Sequence, residues 1–378
     1  MAVNILTERE QELVSLLAKD CKTTGEIHEK LKLLFAGTIE KMLEDEMDEH
    51  VADSGGRRNG YRTKTLNSEY GTVKIQMPRD RNNSFEPQIL GKHQWRTTDI
   101  EDKIVTMYAK GMTLRAIESQ MKELYGTEVS KSLVTKITNK VWPEVEEWQR
   151  RQIEREYAII YVGSISFNIQ GESKEVYMAL GVNADGHKSI LGIWIEDDGS
   201  PDFWEMICNE LKLRGVRDIS LVCHNNVKGL SSAVNNVFPS AKEQYCVVHQ
   251  VRASSRLVNY HDKGEVCEGL KGIYEASDYE GAIVAREEFR DKWGEKYPAV
   301  VKQWDRNWEK LMTFYEFPVE MQKVVYTTNA MEGFCRTLRR YTNVEDRKVF
   351  PSREAVLKSV YLAVREIVKA WTQPLKAH

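Results

Sequence analysis

The stretch that decides the fold is Tyr157-Ala158-Ile159-Ile160-Tyr161-Val162-Gly163-Ser164-Ile165-Ser166-Phe167. Its β-branched and aromatic residues predict a strand over Ala158–Phe167, in sharp contrast to the helical three- and four-residue spacing before it. Two more strands are predicted over Glu175–Val182 and Ser189–Ile195, joined by the turn Asn183-Ala184-Asp185-Gly186. An amphipathic helix follows Pro201, with Phe203, Trp204, Ile207 and Leu211 on one face, and ends near Gly215. A fourth strand is expected over Asp218–Cys223, then a helix at about 227–237 and a short strand at 243–248.

Three antiparallel strands, a crossover helix and further β/α alternation describe an α/β fold with an RNase H-like core. Residues 250–320 turn helical and carry Trp293, Trp304 and Trp308, which read as core more readily than as base-stacking platforms. Helices near 329–341 and 352–371 return to close the core, making the helical stretch an all-α insertion within one domain of residues 151–378.

Upstream, residues 99–150 read as a helix-turn-helix and a charged linker helix. The first helix, Asp99–Lys110, stops at Gly111; the second follows Thr113 as N-cap and closes at Gly126. The third opens at Ser130 and turns Leu133, Val134, Ile137 and Val141 inward. Its outer face presents Lys131, Thr135, Lys136, Asn139 and Lys140, a set suited to base edges and phosphates, or else an ordinary solvated surface. Trp142-Pro143 ends this unit, and Glu144–Glu156 reads as the linker.

Residues 1–98 are expected to be helical through 5–52, with an acidic, solvated stretch from Glu44 to Glu49. A basic segment bearing Arg57, Arg58, Arg62 and Lys64 among glycines reads as a mobile loop or as an arm that follows a DNA backbone. A short strand, Gly71–Met77, is expected to stop at Pro78.

Composition sets outer bounds. The 378 residues carry a formal net charge of −3, which argues against a wholly electrostatic nucleic-acid binder but allows a local basic face. Six scattered cysteines without a CxxC pair fit a reducing compartment. No apolar run reaches the roughly 18 residues of a membrane span, and the N-terminus lacks signal-peptide character. The expectation is a cytoplasmic protein, nucleoid-associated if it binds DNA, with no membrane partner.

Several spaced motifs carry a resemblance to one family. Asn225-Asn226-Val227-Lys228-Gly229-Leu230, then Val237-Phe238-Pro239-Ser240-Ala241, Gln244, Cys246 and His249, resembles the signature of Mutator-type bacterial insertion-sequence transposases at all signature positions except the first. Pro78-Arg79-Asp80-Arg81 with Phe85-Glu86-Pro87-Gln88, the segment Gly111–Trp148, and Tyr326-Thr327-Thr328-Asn329-Ala330-Met331-Glu332 extend the resemblance over almost the whole chain. The family implies strand cleavage and transfer at terminal inverted repeats of double-stranded DNA, two Mg²⁺ ions held by three acids, homo-oligomers, and no small-molecule substrate.

The triad positions implied by the resemblance are Gly163, Asn225 and Glu332, of which only Glu332 is acidic. Magnesium demands hard anionic oxygen, so its binding is expected to fail or to leave only a residual ligand at Glu332. Asp185, Glu196, Asp197, Asp198 and Asp218 are the nearest substitutes along the chain, and none is expected at the centre. Restoring aspartate at 163 and 225 together is expected to recover cleavage. Cys246 and His249 have CxxH spacing, which allows two zinc ligands or a structural motif beside the active site; no second pair lies nearby, which favours the latter. Arg336, with Arg339 and Arg340, follows Glu332 and could meet phosphates. The tail Trp371–His378 stops soon after the point where family members usually continue, as a decaying element would.

Overall fold

The computed structural model describes residues 7–68, 70–90, 98–125, 128–196, 202–342 and 349–371. The chain divides into two compact units, Met1–Tyr108 with Met112–Lys140, and Ala109–Gly111 with Val141–His378.

In the first unit, α1 (Glu8–Asp20) starts at a capping box in which Thr7 accepts from the Glu10 amide while the Glu10 carboxylate accepts from that of Thr7. After it, α2 (Thr24–Ser54) is capped by Thr23 and stopped by Gly55 in the left-handed region. The apolar spacing that announces these helices is only partly buried: Leu13, Leu16, Ile27, Leu31 and Leu34 stay exposed, while Ala36 and Leu43 enter a core. That core is completed by a hairpin of β1 (Arg58–Ser68) and β2 (Gly71–Asp80), through Leu66, Val73, Ile75 and Met77.

Two expectations are corrected here, and a third, the solvated acidic stretch, is met in part, with Asp45, Asp48 and Glu49 exposed. The basic segment is strand β1 over most of its length and not a loop, because its residues from Tyr61 onward pair in register with β2. Strand β2 does not stop at Pro78 but runs to Asp80. Each strand of a two-stranded sheet is an edge, and a register shift between Arg58 and Tyr61 falls beside the Tyr61–Pro78 pair, so the missing proline N–H is tolerated. The acidic stretch is also engaged. Glu44 and Asp48 pair with Arg58, and Glu46 accepts from the Gln88 and Ile89 amides.

Three helices complete this unit: α3 (Thr98–Ala109), α4 (Leu114–Tyr125) and α5 (Lys131–Asn139). Thr113 accepts from the Ala116 amide and Ser130 from the Leu133 amide, the side-chain caps that start α4 and α5. Ile117, Met121, Val134 and Ile137 are buried, while Leu124 is exposed. Gly126, expected to close α4, lies outside the described residues.

The second unit opens with α6 (Trp142–Arg150), which has Pro143 in its first turn. A first-turn residue needs no N–H partner, so Pro143 starts a helix just after the preceding unit ends at Lys140, the boundary the sequence suggested. The linker helix expected over Glu144–Glu156 begins two residues earlier and stops at Arg150. Next come β3 (Glu156–Ile169), β4 (Glu172–Val182), β5 (Lys188–Ile195), α7 (Phe203–Leu213), β6 (Asp218–His224), α8 (Leu230–Val237) and β7 (Lys242–Tyr245). The sheet order is β5-β4-β3-β6-β7, antiparallel among β3, β4 and β5 and parallel from β3 to β6 to β7. The turn after β4 closes as expected: the Gly186 amide donates to the Asn183 carbonyl, with Gly186 at φ 82°.

One sheet face packs Ile160, Val162, Ile219 and Val222 against Trp204, Ile207 and Leu211 of α7 and Leu230 and Val234 of α8. The chain then continues as α9 (Val247–Ser255), α10 (Lys263–Tyr274), α11 (Tyr279–Trp293), α12 (Pro298–Met312), α13 (Val319–Val325), α14 (Asn329–Thr342) and α15 (Arg353–Lys369). The strand expected at 243–248 is shorter, since Cys246 already serves as the N-cap of α9. Trp293, Trp304 and Trp308 are buried. Helix α6 meets α15 through an edge-on Trp148–Tyr361 contact and an Arg365–Glu144 ion pair.

Candidate functional site

Strands β3 and β6 run parallel with Tyr161 opposite Cys223. Continuing that register by two residues sets Gly163 beside Asn225, just past the carboxyl end of β6. Side chains alternate across a strand, so Val162 enters the α7–α8 core while position 163 faces the other side. There α14 brings in Glu332. A pocket of about 220 Å³ is lined by Gly163, Ser164, Asn225, His249, Arg252, Thr328, Met331, Glu332, Arg336 and Arg339, among others. The three triad positions thus converge, although they are far apart in sequence.

Local bonds fix the walls. The Tyr161 hydroxyl donates to the Val324 carbonyl and the Val247 amide to the Tyr326 carbonyl, so the approach to α14 is tied to β3 and α9. The loop holding Asn225 is anchored by buried His224, whose Nδ1 accepts from the Val227 amide at 3.1 Å. His224 Nε2 lies 3.1 Å from Glu243, which also accepts from Lys310 and Ser231. Burial holds the His224 imidazole below its usual pKa, against the pull of Glu243. Burial opposes ionisation of Glu243 too, but hydrogen bonds from His224, Lys310 and Ser231 prevail and bring it to about 2.

The donor set does not match a pair of magnesium ions. Gly163 has no side chain, and a β-carbon there would lie 2.7 Å from Met331 Cγ. Asn225 offers a neutral carbonyl. Among the described residues, Glu332 is the one carboxylate lining the pocket, against the guanidinium groups of Arg252, Arg336 and Arg339. Arg252 Nη1 is 3.5 Å from Glu332 Oε2. Two divalent cations need dense negative oxygen, and this wall is cationic on balance. Asp185 sits in the β4–β5 turn and Asp218 at the opposite end of β6 from Asn225; Asp197 and Asp198 lie outside the described residues.

Cys246, His249 and Glu332 each place one ligand atom within 4.8 Å of the others. His249 Nδ1 is 3.2 Å from Cys246 Sγ and 3.3 Å from Glu332 Oε1. Thr328 Oγ1 donates to the sulfur at 3.3 Å. Burial raises the Cys246 pKa, but hydrogen bonds from His249 and Thr328 outweigh it and the net shift is downward. Val162, Ser164, Arg252, Thr328, Met331 and Cys335 are pocket residues that sequence reasoning did not single out as site residues. Thr328 and Met331 flank Glu332 within its motif, but Arg252 carries no signal of its own.

A family model for the Mutator family of transposases matches residues 6–374. The chain belongs to that family. Among its relatives, the transposase of insertion sequence element ISRM3 from Rhizobium meliloti is 39% identical, over 88% of this chain and 85% of that one. A probable insertion-element transposase from Corynebacterium diphtheriae is 37% identical, over 77% and 86%. The IS905 transposase of Lactococcus lactis is 30% identical, over 80% and 78%. Among solved structures, a simian T-cell lymphotropic virus intasome complex aligns at 8% identity over 34% of this chain and 52% of that one; its TM-score of 0.19 carries no argument. For a member of the Mutator family, the expected partner is DNA; no helix among the described residues is long and apolar enough to cross a membrane.

The residues expected to touch DNA fall into two groups. Lys131, Thr135, Lys136, Asn139 and Lys140 are all exposed around α5, with Lys140 drawn to Glu101. Arg57 and Arg62 are exposed on or beside β1, while Arg58 is held by Glu44 and Asp48. Lys64 is a correction. It is 5% exposed, on the same strand face as Leu66, and burial lowers its pKa, so it is not placed to meet a phosphate.

Proposed function

We propose that this Mutator-family protein binds the terminal inverted repeats of an insertion sequence as double-stranded DNA and does not cut them. The observation that carries the reading is the pocket itself, where one carboxylate faces three guanidinium groups at the positions the family resemblance assigns to metal-binding acids. Such a wall attracts phosphate and disfavours a pair of magnesium ions, which would have only one carboxylate to neutralise them. The sheet order, with three antiparallel strands followed by two parallel ones, supports an RNase H-like core. The capped helices α4 and α5, with an exposed basic face on α5, support a helix-turn-helix. Homo-oligomer formation belongs to this reading, and the exposed leucines of α1 and α2 suit it.

A second reading, active strand cleavage and transfer, is favoured by the 39% identity to an insertion-sequence transposase. Incubating the purified chain with a repeat-end duplex and Mg²⁺ or Mn²⁺ separates the two. Binding without catalysis gives retarded, uncut DNA in both metals. A nicked or joined end in either metal rejects it.

A further inference from the structure

We propose that Cys246, His249 and Glu332 form a site for one zinc-class ion, joining α9 to α14 beside the pocket. The inference rests on the reading that Glu332 holds no catalytic magnesium pair, and zinc retention is measured separately from strand cleavage. Zinc accepts sulfur, imidazole and carboxylate ligands together, whereas magnesium does not. Zinc–ligand bonds of about 2.0–2.3 Å in a tetrahedron set ligand atoms roughly 3.3–3.6 Å apart. The His249–Glu332 separation of 3.3 Å meets that spacing, the Cys246–His249 separation of 3.2 Å falls just under it, and all three ligand atoms lie within 4.8 Å of one another.

Two features of the cluster are poorly explained without an ion. Glu332 Oε1 is buried and has no hydrogen-bond partner, although His249 Nδ1 is only 3.3 Å away. A single ring N–H cannot serve both the Cys246 sulfur and this oxygen, and a buried acceptor left unpaired is costly. An ion between the three atoms satisfies all of them at once. Charge also balances: a thiolate and a carboxylate neutralise Zn²⁺, so the filled site is neutral and is not repelled by Arg252, Arg336 and Arg339. A pair of magnesium ions beside one carboxylate has no such compensation.

The three residues come together because the fold requires it. Strand β7 ends at Tyr245, Cys246 then caps α9, and His249 follows on the first turn of that helix. Glu332 lies in the first turn of α14, its amide bonded to the Thr328 carbonyl, while the Thr328 side chain reaches the sulfur. With three protein ligands, a tetrahedral ion keeps one position for an outside ligand.

The test uses the full-length chain, stripped with a chelator, reloaded with zinc in excess magnesium and desalted. One zinc per chain should remain, and cobalt in its place should give a thiolate-to-cobalt charge-transfer band. Cys246→Ser should abolish that band. Glu332→Gln, nearly isosteric and at the pocket wall, should weaken zinc binding by roughly 100-fold or more, beyond what loss of an outer partner costs. Circular dichroism of each variant establishes that it is folded; should Cys246→Ser not fold, Glu332→Gln alone decides. Absence of retained zinc in the unaltered chain overturns the proposal, as does unchanged affinity in Glu332→Gln.

Discussion

Met331 occupies the space that a side chain at Gly163 would need: a β-carbon built on Gly163 would lie 2.7 Å from Met331 Cγ and 3.1 Å from Cε. The first triad position is therefore both without an acid and filled by a neighbour from α14. Cγ is held close to the helix backbone, so relief requires a new Met331 rotamer inside a packed wall.

Gly163→Ala should lower stability by about 1–3 kcal/mol through overpacking, and Met331→Ala in the same chain should return much of that loss. The rescue expected from the sequence, aspartate at 163 and 225, then needs a third change. Gly163→Asp with Asn225→Asp should stay inactive, while adding Met331→Ala should restore metal-dependent nicking. Equal nicking by the two- and three-site variants would show that Met331 is no obstacle.

The lysines make a second contrast. Lys131 and Lys136 are exposed, whereas Lys64 is buried. Replacing both exposed lysines by alanine should reduce the slope of log affinity against log salt by about 1.8 if each meets one phosphate. Lys64→Met should leave that slope unchanged. Titrations on a repeat-end duplex at several salt concentrations measure both, and a lower slope for Lys64→Met would contradict the burial argument.

Acid should loosen the unit that holds the pocket, in two stages. The folded His224 pKa is depressed, so below about pH 6.5 the unfolded chain takes up a proton that the folded chain refuses, and stability falls with pH. Glu243, about 2 when folded, adds its own loss as pH drops through about 4.5 toward that value. Each group contributes up to about 1.4 kcal/mol per pH unit within its window. Denaturation midpoints from pH 8 to pH 4 should show the first stage, and His224→Gln should remove it. A midpoint independent of pH between about 7 and 5 would contradict the assignment.

Much of the second unit is legible in the sequence, because buried strands such as Ile159–Val162 are apolar on both faces and turns such as Asn183–Gly186 carry their own chemistry. Strand β1 is not. Its polar, basic residues have weak strand preference, and pairing with β2 imposes the conformation. Pro143 is legible as a boundary, because proline fits the first turn of a helix and not its interior. Within the site, the triad positions can be placed by motif, but Arg252 and the reach of Met331 toward Gly163 exist only once α9, α14 and β3 have met.

Everything rests on cation affinity: a lone carboxylate among arginines should not gather a metal pair. Manganese titrated into the chain bound to a repeat-end duplex, followed by electron paramagnetic resonance, tests this most directly. The account predicts isolated ions at most, such as one at the cysteine–histidine–glutamate cluster, with both strands intact. A spin-coupled manganese pair accompanied by a severed strand would contradict it.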